Sequence, residues 1–422
     1  MTTIASHAAQ ENVLASLGAG GRRGAGQPAP CYDPVQAYVD QVVTNPHLLL
    51  LGEPAAGKST LAKSLAARLL RSTADGPRHL GVLDHRGEYG PLAEAVGLAS
   101  VRLYPGGPDR LNPLDAGPDS PGFDHEDVRE RRRDVVAALC AMKLRRPLAA
   151  VEHLVLEAAV NELPVSCTGA QPVLGDVARL LASPTHEMTE RAEAAPFFES
   201  AGIGGPIDVV EDGRCLSHAL DELLGRELHG VFDAASTVPA DGAGPGVVID
   251  LSLFYPRRAA HALHAVAVCA WLEAAASLAE EPGDFPRRYN IVDEAYVLMR
   301  DEHASRYLAS FLRRCTPHGV ANLVMAHRLD DLRWAAANSP TLAGAAGAFV
   351  EPVGTRVVFR HGAYQMELTA KALGLAPDEA GVVPHLSRGQ ALWKVGGGAG
   401  FVVQHELGPD EWALCDHRTL TV

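Results

Sequence analysis

The chain has 422 residues, 47% of them hydrophobic, and a formal net charge of −14. This composition excludes a mainly disordered protein, and the negative charge argues against a protein that coats nucleic acid over its whole surface, although a local basic patch is compatible with it. The length is sufficient for one large α/β domain with an appended or inserted subdomain.

The first 30 residues are predicted to form a flexible arm. Residues 1–10 are small and polar, and residues 18–26 are rich in glycine. The charged-then-apolar pattern of a signal peptide is not found in this segment. Seven cysteines are spread along the chain without C-x-x-C spacing, so we expect reduced thiols and a cytoplasmic protein.

The first chemical motif lies at residues 52–59 and has the pattern G-x-x-x-x-G-K-S. It follows the apolar run 47–51 and precedes the helix-like run 60–70, which is the context of a phosphate-binding loop. We expect Lys58 to reach the β- and γ-phosphates of a nucleotide, and Ser59 to supply a hydroxyl to Mg²⁺. The predicted nucleotide-binding residues are Gly52, Glu53, Pro54, Ala55, Ala56, Gly57, Lys58, Ser59 and Thr60.

Two short β-rich runs follow, at residues 80–84 and 100–104, and both are typical of parallel strands. The segment 84–89 comes where the first of these strands ends, at the edge of a parallel sheet where ligands bind. Two interpretations of this segment stay open. Asp84 or Glu88 contacts the Mg²⁺ water shell or a neighbouring subunit, or the segment is a turn with an Arg86–Glu88 ion pair.

Helical periodicity dominates residues 127–224, with apolar stripes at 134–142, 151–163 and 174–181. It predicts an all-helical insertion subdomain over residues 126–230, between a first core part at 31–125 and a second at 231–422. A basic cluster in the insertion is interleaved with acidic residues, so it is interpreted as a solvated helix face in preference to a DNA-binding patch. The cluster consists of Arg129, Arg131, Arg132, Arg133, Lys143, Arg145 and Arg146.

Strands and helices alternate after the insertion. Strand-like runs at 246–251, 289–293 and 321–326 are separated by helical runs from 257 and over 303–315, which predicts a doubly wound parallel sheet. The apolar segment 259–278 contains His261, His264 and Glu273, so a buried helix is expected there and not a membrane span. Three further runs, at 355–360, 390–395 and 400–404, predict an antiparallel edge.

Adjacent carboxylates, Asp293 and Glu294, end the run 289–293. We expect this strand to lie beside the strand of the phosphate loop, where Asp293 holds the Mg²⁺ shell and Glu294 orients and deprotonates the attacking water. A solvated strand end is the alternative. The two motifs together imply hydrolysis, since binding alone needs only the phosphate loop.

His327 follows the next strand and is our candidate for the group that senses the γ-phosphate, with a helix-capping histidine as the alternative. Four arginines are candidates for a finger that neutralises transition-state charge in a neighbouring subunit's site. They are Arg313, Arg314, Arg356 and Arg360.

In their order along the chain, these motifs resemble the ATPases of bacterial conjugation and type IV secretion, in the HerA/FtsK superfamily, and most of all the TraC-like secretion ATPases. The motifs are GEPAAGKST at 52–60, VLDHRGEYG at 82–90, LYPGG at 103–107 with LNPL at 111–114, VIDLS at 248–252, IVDEAY at 291–296, MAHRLDDL at 325–332 and LSRGQALW at 386–393.

The resemblance implies a RecA-like P-loop NTPase core with a mainly parallel sheet and an all-helical insertion. It further implies a homo-hexamer that uses ATP and Mg²⁺ to build a secretion channel or to translocate DNA or protein. The family's Walker A lysine and serine correspond to Lys58 and Ser59, its Walker B carboxylates to Asp293 and Glu294, and its sensor to His327. Glu53 and Pro54 stand where small residues are common in the family.

The implied partners are membrane secretion-channel components and DNA, with the chain peripheral at the inner face of the cell membrane. Family members carry a sizeable N-terminal docking domain, and few residues precede the phosphate loop here, so a separate subunit is expected to supply docking. Two alternatives remain: a motor of the same superfamily that translocates DNA directly, and an assembly module that binds ATP and turns over slowly. Glu294 argues against the second.

Overall fold

A nine-stranded β-sheet organises the fold in the computed structural model, which describes residues 32–72, 76–118, 124–166, 169–193, 208–238, 244–254, 258–276, 287–327, 352–362 and 366–415. The strands are β1 (Leu48–Leu51), β2 (Arg78–Asp84), β3 (Ala99–Arg102), β4 (Gly246–Asp250), β5 (Arg287–Val292), β6 (Ala321–Ala326), β7 (Thr355–Phe359), β8 (Gln390–Val395) and β9 (Phe401–Gln404). The predicted flexible arm lies outside the described residues.

The strand order is β3-β4-β2-β5-β6-β1-β7-β8-β9. All pairs from β3 to β7 are parallel, whereas β7 pairs with β8, and β8 with β9, in the antiparallel sense. The three predicted C-terminal strands β7, β8 and β9 therefore form the expected antiparallel edge, and β7 joins it to the parallel part of the sheet by pairing with β1. This mainly parallel sheet confirms the predicted fold class.

The strand order corrects one prediction that matters for the site. We expected β5, which ends in the paired carboxylates, to lie beside the phosphate-loop strand β1. Instead β6 lies between them, paired in parallel register with both. The residue that follows β6 is therefore placed between the phosphate loop and the carboxylates.

Helices cover both faces of the sheet. They are α1 (Pro34–Val39), α2 (Lys58–Arg71), α3 (Gly90–Val96), α4 (His125–Leu144), α5 (Ala150–Glu162), α6 (Leu174–Ala182), α7 (His186–Glu193), α8 (Val209–Gly225), α9 (Arg258–Ala276), α10 (Tyr296–Met299), α11 (Glu302–Cys315), α12 (Met366–Leu373), α13 (Pro377–Val382) and α14 (Pro409–Leu414). Between β3 and β4 the described residues form only helices, α4–α8, in the region where an all-helical insertion is predicted.

Strand β1 shows how the sheet divides the core. Its four leucines have no exposed surface. Leu49 and Leu51 pack in one hydrophobic cluster with the helices of the insertion, whereas Leu48 and Leu50 pack in the other with α2. Alternate side chains of a strand point to opposite faces, so a strand covered on both faces is apolar throughout.

Two members of the basic cluster are not solvated, which corrects our interpretation of that cluster. Arg131 and Arg132 are 2% and 0% exposed. The Nε of Arg132 donates to the Leu114 carbonyl at 2.7 Å, and Nη2 of Arg131 donates to the Asp115 carbonyl at 2.8 Å. These carbonyls belong to the loop that follows β3. The two guanidinium groups satisfy them as hydrogen-bond acceptors and thereby attach this loop to α4.

The apolar helix α9 is buried inside the fold, as predicted, and its Glu273 pairs with Arg314 of α11 at 2.6 Å. Within the described ranges, no helix combines the length and the apolar character that a membrane crossing requires.

Candidate nucleotide site

The loop between β1 and α2 has positive φ angles and a close backbone contact, and both favour glycine or a small residue. Gly57 has φ +120° and Ala55 has φ +62°, both in the left-handed region. A Cβ atom at Gly52 would lie 2.5 Å from the Cβ of Phe359 in β7. The loop is also fixed from outside, because the Glu53 N–H donates to the Arg360 carbonyl at 3.1 Å.

Lys58, the first residue of α2, points back into this loop and is 6% exposed. Its Nζ donates to the carbonyl oxygens of Gly52 at 2.6 Å and of Glu53 at 3.1 Å. Burial lowers the pKa of Lys58 to about 8, against the opposing charges of Glu294 and Asp293. The ammonium group thus contacts two backbone carbonyls of the loop, and phosphate oxygens could replace these carbonyls as acceptors.

The two carboxylates that follow β5 differ in their protonation. Asp293 is 4% exposed, and burial together with the charges of Glu294 and Asp84 raises its pKa to about 8. Burial also raises the pKa of Glu294, but the contact with His327 and the positive charges of Arg86 and Lys58 outweigh it and lower this pKa. Glu294 is therefore ionised at neutral pH, which a general base requires.

Glu294 adopts φ +46°, an uncommon conformation for a residue with a side chain. The Asp293 carboxylate accepts the Glu294 N–H at 2.7 Å and so supports this conformation. Strained backbone of this kind occurs preferentially where function fixes the direction of a side chain.

His327 lies between the phosphate loop and the carboxylates. Its Nδ1 is 3.0 Å from Nζ of Lys58, and its Nε2 is 2.6 Å from Oε2 of Glu294. The position of β6 between β1 and β5 explains this placement. Because Lys58 donates to Nδ1, the ring proton of a neutral imidazole is on Nε2, the nitrogen that lies next to Glu294.

The segment after β2 is a turn that Asp84 organises, as in the second of our two interpretations. The Asp84 carboxylate, 1% exposed, accepts the N–H groups of Arg86 at 3.1 Å, Gly87 at 2.8 Å and Tyr89 at 2.9 Å. The Nε of Arg86 lies 3.4 Å from Oε1 of Glu88, so the expected ion pair is present.

Sequence reasoning missed a second contact of Arg86, whose Nη1 donates to Oε1 of Glu294 at 3.3 Å. The sequence does place Arg86 just after the strand β2, in the same way that Glu294 follows β5. Because β2 and β5 are neighbours in the sheet, the two residues lie close together.

Lys63 is another residue that sequence reasoning missed. It lies on α2, is 1% exposed and has its Nζ 5.1 Å from the centre of the Tyr89 ring. Among the residues that the structure describes, no hydrogen-bond acceptor contacts this Nζ. Burial lowers the pKa of Lys63, against the charges of Glu88 and Asp84. A lysine in a helix is normally solvated, so the sequence offered no indication of this burial.

The four candidate arginines have different surroundings. Arg314 is 14% exposed and binds Glu273 and Asp134, so it is part of the internal structure. Arg313 is exposed on the same helix, and Arg356 is half-buried within β7. Arg360 has its Nε 3.6 Å from Oε2 of Glu53, which places it beside the phosphate loop of its own chain.

The fold has counterparts of known structure. VirB4 of Thermoanaerobacter pseudethanolicus is 19% identical, with a TM-score of 0.62 over 88% of this chain and 91% of that chain. The plasmid coupling protein TrwB, solved with ADP and Mg²⁺, is 15% identical, with a TM-score of 0.54 over 94% of this chain and 92% of that one. TrwB with a non-hydrolysable ATP analogue gives 14% identity and a TM-score of 0.55 over the same shares.

No protein-family model and no curated protein sequence matches the chain. In each comparison, the structural likeness nevertheless covers nearly the whole length of this chain and of the solved structure. The chain therefore has the fold of VirB4 and of the coupling protein TrwB, a RecA-like P-loop core.

Proposed function

We propose that the chain hydrolyses ATP. The observation that carries this proposal is the convergence of Lys58, His327 and Glu294, with 3.0 Å and 2.6 Å between successive polar atoms. The residue that we propose as the sensor thereby contacts both the proposed phosphate-binding lysine and the proposed base. A protein that only binds nucleotide needs a phosphate-binding group and does not need a general base.

A bound Mg²⁺ ion fits the residues present. No group of three or more His, Cys, Asp or Glu side chains within the described part of the chain is arranged to hold a metal by itself. That suits Mg²⁺, which commonly takes only one or two carboxylates and completes its shell with water and phosphate oxygens. Asp293, whose pKa is raised by burial and by neighbouring negative charge, and the Ser59 hydroxyl would hold the ion. Its chemistry there would be to neutralise charge on the β- and γ-phosphates.

Each protein group then has one role. Lys58 would transfer its hydrogen bonds from the Gly52 and Glu53 carbonyls to phosphate oxygens. Glu294 would orient the attacking water and accept its proton. His327 contacts both Lys58 and Glu294. When Lys58 moves its hydrogen bonds to phosphate, His327 would alter the contacts of Glu294.

We further propose that hydrolysis drives a conjugative transfer or type IV secretion system, by channel assembly or by translocation of DNA or protein. The fold shared with VirB4 and TrwB supports this role. A homo-hexamer at the inner face of the cell membrane, docked through secretion-channel components, is the assembly we infer. The alternative remains a HerA/FtsK-type motor that acts on DNA directly.

The basic cluster does not favour the DNA alternative. Arg131 and Arg132 are buried, and the other members except Arg145 have acidic partners. These pairs are Arg129 with Glu126, Arg133 with Glu157, Lys143 with Glu222 and Glu227, and Arg146 with Glu152. A phosphate backbone would have to compete with these carboxylates.

The test of hydrolysis compares the wild type with Glu294→Gln, and with Glu211→Gln as a matched control at an exposed helix position. We expect the first variant to lose turnover, by at least about 100-fold, while it still binds ATP, because only the base is removed. Glu211→Gln should keep the wild-type rate. An unchanged rate in Glu294→Gln would disprove the assignment of the base.

The test of the cellular role measures the ATPase rate with increasing single- and double-stranded DNA, together with the particle mass with and without ATP and Mg²⁺. An unresponsive rate is expected for a secretion energiser. Strong stimulation by DNA would favour the direct DNA motor, and a chain that stays monomeric with ATP would contradict the hexamer.

A further inference from the structure

Arg86 is a charged residue of the site that the proposed mechanism does not use. Its Nη1 donates to Oε1 of Glu294 at 3.3 Å, while Oε2 of Glu294 lies 2.6 Å from Nε2 of His327. Both oxygens of the proposed base are therefore in contact with a nitrogen of another side chain. An oxygen that accepts a hydrogen bond from a guanidinium has that lone pair occupied, and it cannot present the same lone pair to a water molecule.

The backbone from which Arg86 extends is fixed. Three N–H groups of the turn donate to the buried carboxylate of Asp84, so the turn is attached to the end of β2. Strand β2 is the direct neighbour of β5, which carries Glu294. The Arg86 guanidinium can therefore leave Glu294 by rotation of its own side chain while the turn stays in place. That side chain is 48% exposed, so the rotation needs no repacking of the core.

A second acceptor lies within reach of the same guanidinium. The Nε of Arg86 is 3.4 Å from Oε1 of Glu88, nearly the same distance as its Nη1 to Glu294. The Glu294 side chain is 6% exposed and that of Glu88 18%. One guanidinium is thus shared between a buried carboxylate that we assign to catalysis and a more accessible one that has no other assigned role.

We infer that Arg86 is a positioning residue that restrains Glu294, and that turnover requires the guanidinium to move from Glu294 to Glu88. Glu88 is the acceptor that receives it and so favours the released state. The inference rests on the proposed ATPase function, because it concerns the base of that reaction. It predicts opposite effects on kcat for the loss of Arg86 and the loss of Glu88, two residues of the same turn.

The experiment measures kcat and KM for ATP in five variants beside the wild type. Arg86→Ala should raise kcat by about two- to fivefold with KM unchanged, the range expected for a half-exposed ion pair. Arg86→Lys should return kcat toward the wild-type value, since an ammonium group can also donate to Glu294. Glu88→Gln should lower kcat, because the guanidinium loses its competing acceptor. In the Arg86→Ala/Glu88→Gln double variant, the Glu88 substitution should have no further effect.

The fifth variant, Arg102→Ala, is the matched control. Arg102 is also an exposed arginine at the carboxyl end of a strand, 58% exposed and 3.3 Å from Asp250, but no contact with Glu294 is formed. Its kcat and KM should equal those of the wild type. Thermal unfolding of every variant shows whether the fold is retained, and Arg86→Gln replaces Arg86→Ala if the alanine variant unfolds early.

Three results would overturn the inference. A lower kcat in Arg86→Ala would mean that the arginine supports hydrolysis. An unchanged kcat would mean that the contact has no kinetic role, and a Glu88→Gln effect that persists without Arg86 would mean that Glu88 acts separately. If neither the wild type nor Arg86→Ala hydrolyses ATP that both bind, the proposed function itself fails, whereas a wild type that hydrolyses ATP while Arg86→Ala is no faster contradicts only the inference.

Discussion

Binding of Mg-ATP should exchange protons with solvent, and the direction should reverse near pH 8. Two groups are responsible. Asp293 has a pKa raised to about 8 by burial and negative neighbours, and Lys58 has a pKa lowered to about 8 by burial. In the proposed site a nucleotide with its cation would favour the ionised form of both, because the carboxylate would face Mg²⁺ and the ammonium would face phosphate.

The size of the exchange follows from these two values. With a pKa of about 8, each group carries roughly 0.9 proton at pH 7 and roughly 0.1 proton at pH 9. At pH 7 Asp293 therefore releases roughly 0.9 proton and Lys58 takes up roughly 0.1, a net release of roughly 0.8. At pH 9 Asp293 releases roughly 0.1 proton and Lys58 takes up roughly 0.9, a net uptake of roughly 0.8 proton.

Titration calorimetry in buffers with different ionisation enthalpies measures this number directly. A non-hydrolysable ATP analogue is used with Mg²⁺ so that hydrolysis does not contribute heat and the charge of Glu294, which affects both pKa values, is kept. With this analogue, Asp293→Asn should abolish the release at pH 7 and keep the uptake at pH 9. Asp378→Asn, at an exposed position of α13, should change neither.

A proton release that stays the same from pH 7 to pH 9 would refute this reasoning. So would a release at pH 7 that survives Asp293→Asn, because the proton would then come from another group. Either result would mean that burial does not control the protonation of Asp293 and Lys58 in the way described above.

Gly52→Ala should lower the free energy of unfolding by about 1–3 kcal/mol and abolish ATP binding, because its Cβ would overlap β7, whereas Gly381→Ala has open space and should do neither. Lys63→Met should raise the melting temperature at pH 7, since a lowered pKa means that folding disfavours the charged amine; this gain should shrink as the pH approaches 10, where the unfolded wild type also loses the proton. Arg314→Ala should lower the free energy of unfolding by about 3 kcal/mol with kcat retained, because Glu273 loses its partner, and a lost kcat with unchanged stability would instead support a finger role.

The strands were predictable because each is a short apolar run that is buried on both faces. The predicted limits 321–326 and 390–395 agree with β6 and β8 to the residue, and the other strand limits differ by one or two residues at either end. The phosphate loop was equally predictable, because its glycines and Lys58 occur in a fixed pattern between a strand and a helix.

The neighbours of each strand were not predictable, and most of what was missed in the site follows from that. An apolar run does not encode which other run it pairs with, so β5 was placed beside β1 and the bridging position of His327 could not be derived. The contact of Arg86 with Glu294 depends on the pairing of β2 with β5 in the same way. Arg132 and Lys63 were missed for a different reason, since charged side chains in a helical pattern are normally solvated.

Once the strand order is known, the site is a line along the carboxyl edge of the sheet. Four adjacent strands, β2, β5, β6 and β1, are followed in that order by Arg86, Glu294, His327 and the loop that holds Lys58. Neighbouring strands are about 4.8 Å apart, so side chains that follow successive strands lie close enough for polar contact. A phosphate that draws Lys58 away from His327 would therefore change the contacts of Glu294 at the next position, and through Glu294 those of Arg86. The parallel order of these strands thus connects the state of the phosphate loop to the partly exposed turn after β2.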